Sequence, residues 1–560
     1  MKRSSWAALL AVSFLAAGVA TWPLLRHIDE SVPQGTELMG TPTLHGLWSL
    51  WWAADRTAHG FKDFWNAPIF FPQRGSFTFS EPMALLGAAS TPLWLSGLPP
   101  AVCYNVVLLA VLALNGVAAG RLALALGADR QAAILGAVLA TTLPAVAKLT
   151  GVLTVLAFFG LLVAVEGLAR FGKSGSWGAA AGAAAGFSVQ CLSSEQIALM
   201  GIPLLAAAGI AALAEQGFAQ LSARRLFLSF GLAGIIVLLV LLPAFQAHRE
   251  LGFGRSLQEV AAGSARSRDF FTRPFSSLVG IPARESLERD TSGLFPGILL
   301  LVLGACGALS SLRSRRPLWP LLLVSVALLE AGMSLGLNVG VLGGKPFGWL
   351  RASVPGFSEL RSPFRAVIIT QAILAVLAAL GLSALLRQFP GSLWRAMILS
   401  LGVLGAIENL CVPVLLLPVP LSANTGWSLW LREQPAGTAI VHLPFPHGDR
   451  AAAFEVETWR MFRQLDHRKP MLNGYSGYFP PVYDRFRKLI GEGLPDYRSL
   501  CALNKEAGIN AVVIDRNWQL PNAGFLDDRD ARRLLALAYQ DEEVKIYRLA
   551  PPASDCIVVR

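Results

Sequence analysis

Five carboxylates follow the first apolar run of the sequence, and they are its first candidates for chemistry. They are Asp29, Glu30, Glu37, Asp55 and Glu81. A carboxylate held beside an apolar surface can act as a general base, because desolvation raises its pKa toward neutral pH. The adjacent pair Asp29 and Glu30 instead suits a divalent cation such as Mg²⁺ or Mn²⁺, which prefers oxygen ligands. The alternative for each acid is that it is simply solvated.

Two arginines four residues apart, Arg361 and Arg365, stand at the start of a long apolar run. A guanidinium forms bidentate contacts with phosphate, so this pair predicts a site for a lipid phosphate at the membrane surface. The alternatives are side chains that extend along the surface to reach water, or an ion pair with Glu359. Glu195, in the sequence SSEQ, is a candidate contact to the same substrate or part of a plain polar turn.

One helix face is predicted by the i, i+3, i+4, i+7 spacing of four residues: Trp48, Trp51, Trp52 and Asp55. Three Trp on one face are typical of a helix in the lipid headgroup layer, with Asp55 and Arg56 as a solvated ion pair at its end. Trp52 and Arg56 are also candidate substrate contacts.

A second aromatic stretch, residues 472–481 (LNGYSGYFPP), contains Asn473 and Tyr475. These two side chains either contact a sugar ring or pack this segment onto the rest of the protein. Glu330 and Glu408 lie within apolar runs. Burial of an ionisable side chain in a membrane costs free energy, so both residues are functional candidates. No Walker A sequence, GxGxxG after a strand, HExxH or CxxC pair is present, so ATP-driven transport and zinc hydrolysis have no support.

The elements that position these residues follow from the composition. Of 560 residues, 54% are apolar and only 15% are charged, and the mean hydropathy is +0.52. Soluble domains carry about 25% charged residues, so a soluble enzyme is excluded, as are a disordered chain and a coiled coil. Eleven apolar runs are long enough to predict membrane helices: 5–25, 101–122, 132–147, 152–169, 177–191, 197–214, 226–246, 293–312, 317–336, 366–385 and 395–417. Residues 83–98, with Pro92, predict an interfacial or re-entrant helix instead.

The charges predict the orientation of these spans. With eleven spans, the alternate short loops on one side hold thirteen Lys and Arg against two acids, Asp129 and Glu215. Cytoplasmic loops are enriched in Lys and Arg. We therefore expect the protein to lie in the inner membrane, with its N-terminus in the cytoplasm. The basic cytoplasmic loops then explain the net charge of +11, and no nucleic-acid partner is expected. Four regions share the outer face: 26–100 (the first outer loop), 247–292, 337–365 and 418–560.

Residues 418–560 predict a small extracytoplasmic α/β domain after a membrane domain at 1–417. Residues 438–443, 511–515 and 544–549 have the composition of strands, and 527–539 that of a helix. Cys501 and Cys556 are the only cysteines there, and they are able to pair if the compartment is oxidising.

This arrangement resembles the GT-C superfamily of integral-membrane glycosyltransferases, in the group of large bacterial mannosyltransferase-like membrane proteins. The resemblance rests on the order of the spans and on residues 47–56, 65–72, 79–82, 360–365 and 472–478. It implies a mainly α GT-C-like fold and a polyprenyl-phosphate-linked sugar as donor. The acceptor would be a glycan, a lipid or a protein outside the membrane.

The resemblance also implies roles for individual residues. An acid of the first outer loop would be the base or a metal ligand, which gives Asp29, Glu30 or Glu37, with Asp55 and Glu81 in support. Arg361 and Arg365 would hold the donor phosphate. The alternative is a protein that transports or polymerises lipid-linked glycans, or handles them without catalysis; a water-filled path along Glu408 and Glu330 would favour it.

Overall fold

Helices form most of the chain in the computed structural model. The structure describes residues 3–35, 39–274, 276–278, 291–312, 316–339, 344–448, 450–491, 496–516, 518 and 529–551. The helices up to residue 409 are α1 (Arg3–Ala20), α2 (Thr41–Ala58), α3 (Ala84–Leu95), α4 (Pro100–Leu126), α5 (Arg130–Thr141), α6 (Pro144–Lys148), α7 (Leu153–Leu156), α8 (Phe159–Ser174), α9 (Trp177–Ser193), α10 (Glu195–Met200), α11 (Ile202–Glu215), α12 (Gln220–Leu251), α13 (Leu257–Ala262), α14 (Ile298–Leu312), α15 (Leu318–Ser334), α16 (Lys345–Ser353), α17 (Val367–Gln388) and α18 (Ser392–Asn409).

Each predicted apolar run overlaps one of these helices: α1, α4, α5, α8, α9, α11, α12, α14, α15, α17 and α18. The runs 132–147, 152–169 and 197–214 also extend over the short helices α6, α7 and α10. Among the described residues, five segments are long and apolar enough to cross a bilayer: Pro100–Leu126, Arg130–Lys148, Leu153–Ser174, Gln220–Leu251 and Pro363–Gln388. Residues 83–98 contain the 12-residue helix α3, and their interfacial or re-entrant placement stays a prediction. The number of spans stays a prediction.

The last predicted run, 395–417, is too long. Helix α18 ends at Asn409, and Leu415–Pro418 form strand β2, which pairs antiparallel with β1 (Ser31–Gly35). Pro413 lacks an N–H and does not continue a helix. The β1–β2 pair therefore ties the start of the first outer loop to the chain that leaves the last membrane helix.

Close helix crossings in the membrane region depend on small residues. Helices α14 and α17 cross at Gly307 and Gly381. A Cβ on Gly307 would lie 1.9 Å from the carbonyl oxygen of Leu377, and one on Gly381 would lie 2.1 Å from that of Leu303. Glycine is required at both positions, because small residues let helix backbones approach closely in membranes.

The loops assigned to the cytoplasmic side meet at one end of the helices. Arg316 forms an ion pair with Glu215 and donates to the Ala169 carbonyl at 2.9 Å, which joins three of these loops. Lys173 Nζ donates to the Ala125 carbonyl at 2.7 Å. Since these contacts connect alternate loops, the grouping of loops by charge agrees with the arrangement of the helices.

Residues 418–551 contain a four-stranded sheet and five helices. The strands have the order β3 (Ile440–Leu443), β4 (Ala511–Asp515), β6 (Val544–Leu549) and β5 (Leu535–Gln540). Strands β3 and β4 are parallel, with Ile440 opposite Ala511, and the other two pairs are antiparallel. The helices are α19 (Gly426–Glu433), α20 (Glu455–His467), α21 (Pro481–Ile490), α22 (Tyr497–Lys505) and α23 (Arg529–Leu534).

Two predictions for this region are corrected or extended. The helix predicted at 527–539 is wrong beyond Leu534, because residues 535–540 form the edge strand β5, which pairs with β6. Cys501 is disulfide-bonded and the other four described cysteines are free. Its predicted partner, Cys556, lies outside the described residues.

The sheet shares a hydrophobic core with the first outer loop. Trp48, Trp51 and Trp52 of α2 are 1%, 5% and 6% exposed, in one cluster with Phe70, Phe79 and residues of β3 and β4. The prediction that these Trp lie in the lipid headgroup layer is therefore wrong. Their face packs against α20, where the Trp48 Nε1–H donates to Gln464 Oε1 at 3.0 Å.

Candidate functional site

A cavity of about 900 Å³ lies between the first outer loop, the ends of α9–α12, helix α13, residues 355–365 and the C-terminal region. One side is apolar and includes Phe187, Leu199, Ile202, Val237, Leu241 and Phe245. The opposite surface of α12 exposes Leu232, Ile235, Ile236 and Leu239, as expected of a helix that faces lipid. The cavity therefore has an apolar wall beside the expected lipid surface.

The rest of the lining carries charges of both signs. The acids are Glu81, Glu195, Glu259 and Glu359, and the arginines are Arg255, Arg361, Arg365 and Arg450. A convergent set of charged groups in a concave, partly apolar site is typical of a binding or active site.

Glu81 is held at the cavity by the start of α10. Its Oε1 accepts a hydrogen bond from the Gln196 N–H at 2.9 Å, and its Oε2 is buried. Burial raises the pKa of Glu81 to about 7, although the Gln196 N–H and the Arg365 guanidinium oppose this rise. A carboxyl group with this pKa exchanges a proton near neutral pH, which is what a general base requires.

Glu195 is the first residue of α10 and also lines the cavity. Burial raises the pKa of Glu195 to about 8, and the nearby carboxylates of Glu81 and Glu359 act in the same direction. The sequence SSEQ is therefore more than a plain turn, because it brings a second proton-holding acid beside Glu81.

The two predicted phosphate-binding arginines both line the cavity. Arg361 is exposed, whereas Arg365 is half-buried and its Nη1–H donates to Gln196 Oε1 at 2.9 Å. Gln196 thus contacts Glu81 through its backbone and Arg365 through its side chain. One short helix positions an acid and a cation in the same cavity.

His248 joins three walls of the cavity near the C-terminal end of α12. Its Nδ1 lies 2.7 Å from Glu359 Oε2 and its Nε2 lies 2.6 Å from the Thr78 carbonyl oxygen. The ring also packs edge-on against Phe253 and Tyr478.

The C-terminal region closes the cavity with aromatic side chains. Arg255 lies over the Tyr478 ring at 4.0 Å and donates to the Gly477 carbonyl at 2.5 Å. Tyr475 packs edge-on against His45, with ring centroids 5.6 Å apart. Burial lowers the pKa of His45 to about 4, so this ring is neutral at pH 7.

Several predicted site residues lie away from this cavity. Asp29 and Glu30 are exposed, and Glu30 accepts a hydrogen bond from His27 Nδ1 at 2.7 Å. Asp55 forms ion pairs with Arg56 and with Arg468, the latter at 2.8 Å. Its carboxylate is only 7% exposed, so the expected solvated ion pair is instead a contact between α2 and the C-terminal region.

Most of the remaining candidate residues contact other parts of the protein and do not line the cavity. Trp52 donates from Nε1 to the Phe64 carbonyl at 2.8 Å, and the Arg56 guanidinium lies over its ring. Asn473 is buried and bonded to His442 and Glu457, while Tyr475, two residues later, lines the cavity. Residues 472–478 therefore pack the region onto the first outer loop and also present an aromatic side chain. Glu37 lies outside the described residues.

Sequence reasoning missed His45, His248, Arg255 and Arg450. His45 precedes Trp48 by one helical turn, so the spacing on α2 was an available signal. His248 and Arg255 fall in the predicted outer region 247–292, which is rich in Arg. Arg450 has no signal in its local sequence, because only the tertiary fold brings it to the cavity.

Glu330 and Glu408, the two acids predicted within apolar runs, do not line this cavity. Glu408 accepts from Arg273 Nη2 at 2.5 Å and from the N–H groups of Ile298 and Leu299, at 2.7 and 2.8 Å. It therefore caps the start of α14. Glu330 is fully buried, and neither acid lines the cavity.

Among the described residues, no group of three His, Cys, Asp or Glu side chains is placed to hold a metal ion. The predicted cation ligands Asp29 and Glu30 lie outside the cavity, and a divalent cation stays a prediction.

Comparison with known proteins was made by sequence and by fold. No family model matches the chain, and no curated protein matches it. The mycobacterial arabinofuranosyltransferase AftD is similar in structure, with a TM-score of 0.54 at 15% identity over 99% of this chain. A mutant form of AftD gives a TM-score of 0.55. The chain spans only 40–42% of the length of AftD.

The chain shares its fold with AftD, as expected from the resemblance to the GT-C superfamily. ArnT from Cupriavidus metallidurans, solved bound to undecaprenyl phosphate, is also similar, with a TM-score of 0.44 at 13% identity over 99% of both chains. The likeness to AftD, at 15% identity, concerns the fold alone.

Proposed function

We propose that the protein is a GT-C glycosyltransferase that transfers a sugar from a polyprenyl-phosphate donor to an acceptor hydroxyl. The observation that carries this proposal is that Glu81, Glu195, Arg361 and Arg365 line one cavity that also has an apolar wall. A lipid-linked phosphate has this combination of a long apolar chain and a compact anion.

The donor fits the cavity in one direction. Its isoprenoid chain would lie along the apolar residues of α9, α11 and α12, which adjoin the lipid-facing surface. Its phosphate would lie at Arg361 and Arg365, because guanidinium groups bind phosphate oxygens with bidentate hydrogen bonds. The sugar would then reach the acids at α10.

The chemistry is an inverting displacement. The Glu81 carboxylate takes the proton of the acceptor hydroxyl as the oxygen forms a bond to the anomeric carbon of the sugar. The bond from that carbon to the phosphate oxygen breaks, and the arginines stabilise the charge on the leaving polyprenyl phosphate. Glu195, protonated at neutral pH, donates a hydrogen bond to a sugar or acceptor oxygen.

The topology completes the proposal. The protein would span the inner membrane eleven times, with its N-terminus in the cytoplasm and residues 418–560 as an extracytoplasmic α/β domain. Because AftD is an arabinofuranosyltransferase, polyprenyl-phosphate arabinofuranose is the first donor to test. The acceptor would be a glycan, a lipid or a protein outside the membrane, and any divalent cation would be an addition to this scheme.

Replacement of the base tests the reaction. Purified protein in lipid nanodiscs is mixed with polyprenyl-phosphate arabinofuranose and a membrane glycan extract, and released polyprenyl phosphate is measured by mass spectrometry. We expect Glu81→Gln to lower the rate by about 10²–10⁴-fold, the usual contribution of a general base, with donor binding little changed. The wild-type rate should rise with pH through about 7, because the base must be ionised.

Glu506→Gln is the matched control, since Glu506 pairs with Arg485 at 2.7 Å outside the cavity. It should leave the rate unchanged. If wild-type protein binds the donor but never releases polyprenyl phosphate, the alternative of a carrier of lipid-linked glycans replaces the transferase. Equal rates for Glu81→Gln and wild type would remove Glu81 from the mechanism.

A further inference from the structure

His248 makes two hydrogen bonds to groups on opposite sides of the cavity. One partner is the Thr78 carbonyl, three residues before Glu81, and the other is the carboxylate of Glu359, two residues before Arg361. The imidazole is 16% exposed and the Glu359 carboxylate 34% exposed. His248 is therefore enclosed between the segment that carries the base and the segment that carries the phosphate-binding arginines.

The chemistry of the two partners determines how many protons this contact needs. A carbonyl oxygen only accepts, so Nε2 must carry a hydrogen that it donates to Thr78. The short contact between Nδ1 and Glu359 needs a second hydrogen, held by the imidazole or by the carboxyl group. The two side chains together must hold two protons. When one leaves, one of the two hydrogen bonds is lost and a carboxylate beside the cavity has no counter-charge.

The other groups around His248 do not replace this contact. They are Arg255 and the Tyr478 ring near the imidazole, together with Glu259 of α13 and Glu195 of α10, which line the same cavity. Arg255 is already directed to Gly477, Glu259 and the Tyr478 ring. Glu195 is an acid that repels a second carboxylate charge at Glu359.

The segment held by His248 is anchored on its other sides by the buried Phe77 and Phe79 and by the Ser76 hydroxyl, which donates to the Ala67 carbonyl at 2.6 Å. The 3-10 turn at Ser76–Phe79 ends just before Glu81, and its Phe79 carbonyl accepts from the Tyr478 N–H at 3.1 Å. On the α12 side, the His248–Thr78 hydrogen bond connects this turn to the helix. Displacement of Thr78 would therefore move the backbone that places Glu81.

We propose that His248 is a positioning residue of the transferase, which holds the Glu81 segment in place only while His248 and Glu359 together carry two protons. The importance of His248 for catalysis rests on the proposed function, whereas its contact with Thr78 and Glu359 does not. The site would lose order and activity at alkaline pH, by a route separate from ionisation of the base.

Hydrogen exchange followed by mass spectrometry on the full chain in nanodiscs tests the contact without any substrate. The readout is the protection of the peptide that covers residues 74–83, corrected for the intrinsic pH dependence of exchange. In the wild type, protection should fall about tenfold between about pH 6 and about pH 9, the effect of one charge-assisted hydrogen bond. His248→Gln should have the low protection at every pH, because both donors of its amide are on one nitrogen, whereas the imidazole reaches its two partners from two separate nitrogens.

Glu359→Gln is the second variant, and its amide can accept a hydrogen bond from a protonated Nδ1 or donate one to an unprotonated Nδ1. Because a neutral His248 then keeps both hydrogen bonds, this variant should retain its protection at alkaline pH, which a purely packing role of His248 would not predict. His27→Gln is the matched control, because His27 forms a similar 2.7 Å contact with Glu30 in an exposed place. It should behave as the wild type does.

The outcomes separate this inference from the proposed function. Protection of residues 74–83 that does not change with pH in the wild type, or that is unchanged in both His248→Gln and Glu359→Gln, overturns the positioning role. A wild-type protein that shows the expected protection but never releases polyprenyl phosphate overturns the transferase and leaves the contact established. If both hold, the rate of polyprenyl phosphate release should fall at alkaline pH in parallel with protection.

Discussion

At the scale of single residues, the environment and not the residue type selects the acids that can do chemistry. Glu30 and Glu81 belong to the same loop, yet Glu30 is exposed beside His27 and Glu81 is enclosed beside Gln196 and Arg365. The sequence shows only that both lie in a polar stretch. The distinction depends on α10, which is 115 residues from Glu81 at its point of contact.

The raised pKa of Glu195 predicts a pH-dependent effect on stability. A carboxyl group whose folded pKa is about 8, against an ordinary value of 4.5, binds its proton more tightly in the folded chain. The stability it contributes is fully present below pH 4.5 and is lost as pH rises through 8. We therefore expect Glu195→Gln to raise the thermal unfolding temperature at pH 9 relative to wild type, with little effect at pH 5.

Differential scanning fluorimetry of the Trp emission in detergent measures this shift, and Glu506→Gln is its control. A gain that is equal at pH 5 and pH 9 would show that burial of the charged form is not its cause.

At the scale of elements, helix α2 shows what sequence patterns provide and what they omit. The spacing of Trp48, Trp51 and Trp52 correctly predicts one helix face. It cannot say whether lipid headgroups or protein cover that face, because both favour aromatic rings. The covering element is α20, more than 400 residues away, so only the tertiary fold resolves the choice.

The same limit applies to the other elements. Runs of apolar residues correctly locate helices, since their length and composition are local properties. Strands β2 and β5 were missed, because each is defined by pairing with a distant or weakly patterned partner. Of the candidate site, Arg361, Arg365 and Glu81 were predictable from their positions, whereas the contacts of Glu81 and Arg365 with α10 were not.

The burial of α2 predicts a large effect of truncating its central tryptophan. Trp48 is 1% exposed and donates to Gln464, so Trp48→Ala should destabilise the protein by about 3–5 kcal/mol. Trp349→Ala is the control, because Trp349 of α16 is 65% exposed and should change the stability by less than about 1 kcal/mol. Thermal unfolding in detergent compares the two, and equal losses would place the α2 face in lipid after all.

At the scale of the whole molecule, the basic loops and the cavity lie at opposite ends of the helices. Arg316, Glu215 and Lys173 meet at one end of the helices, and the cavity lies at the other end with the C-terminal sheet. The orientation of the chain therefore decides which leaflet supplies the donor. Since cytoplasmic loops are enriched in Lys and Arg, the cavity should open to the outer leaflet.

Fusions at matched positions test this orientation. Alkaline phosphatase, which is active only outside the cytoplasm, should be active when joined after Arg560 or Ser422 and inactive after Gln216 or Arg387. Green fluorescent protein at the same positions should give the reverse pattern, because it fluoresces in the cytoplasm. The opposite result would place Glu81, Arg361 and Arg365 on the cytoplasmic side. A lipid-linked donor that has been flipped outward would then be out of reach, and a donor from the inner leaflet or a soluble activated sugar would have to enter the cavity instead.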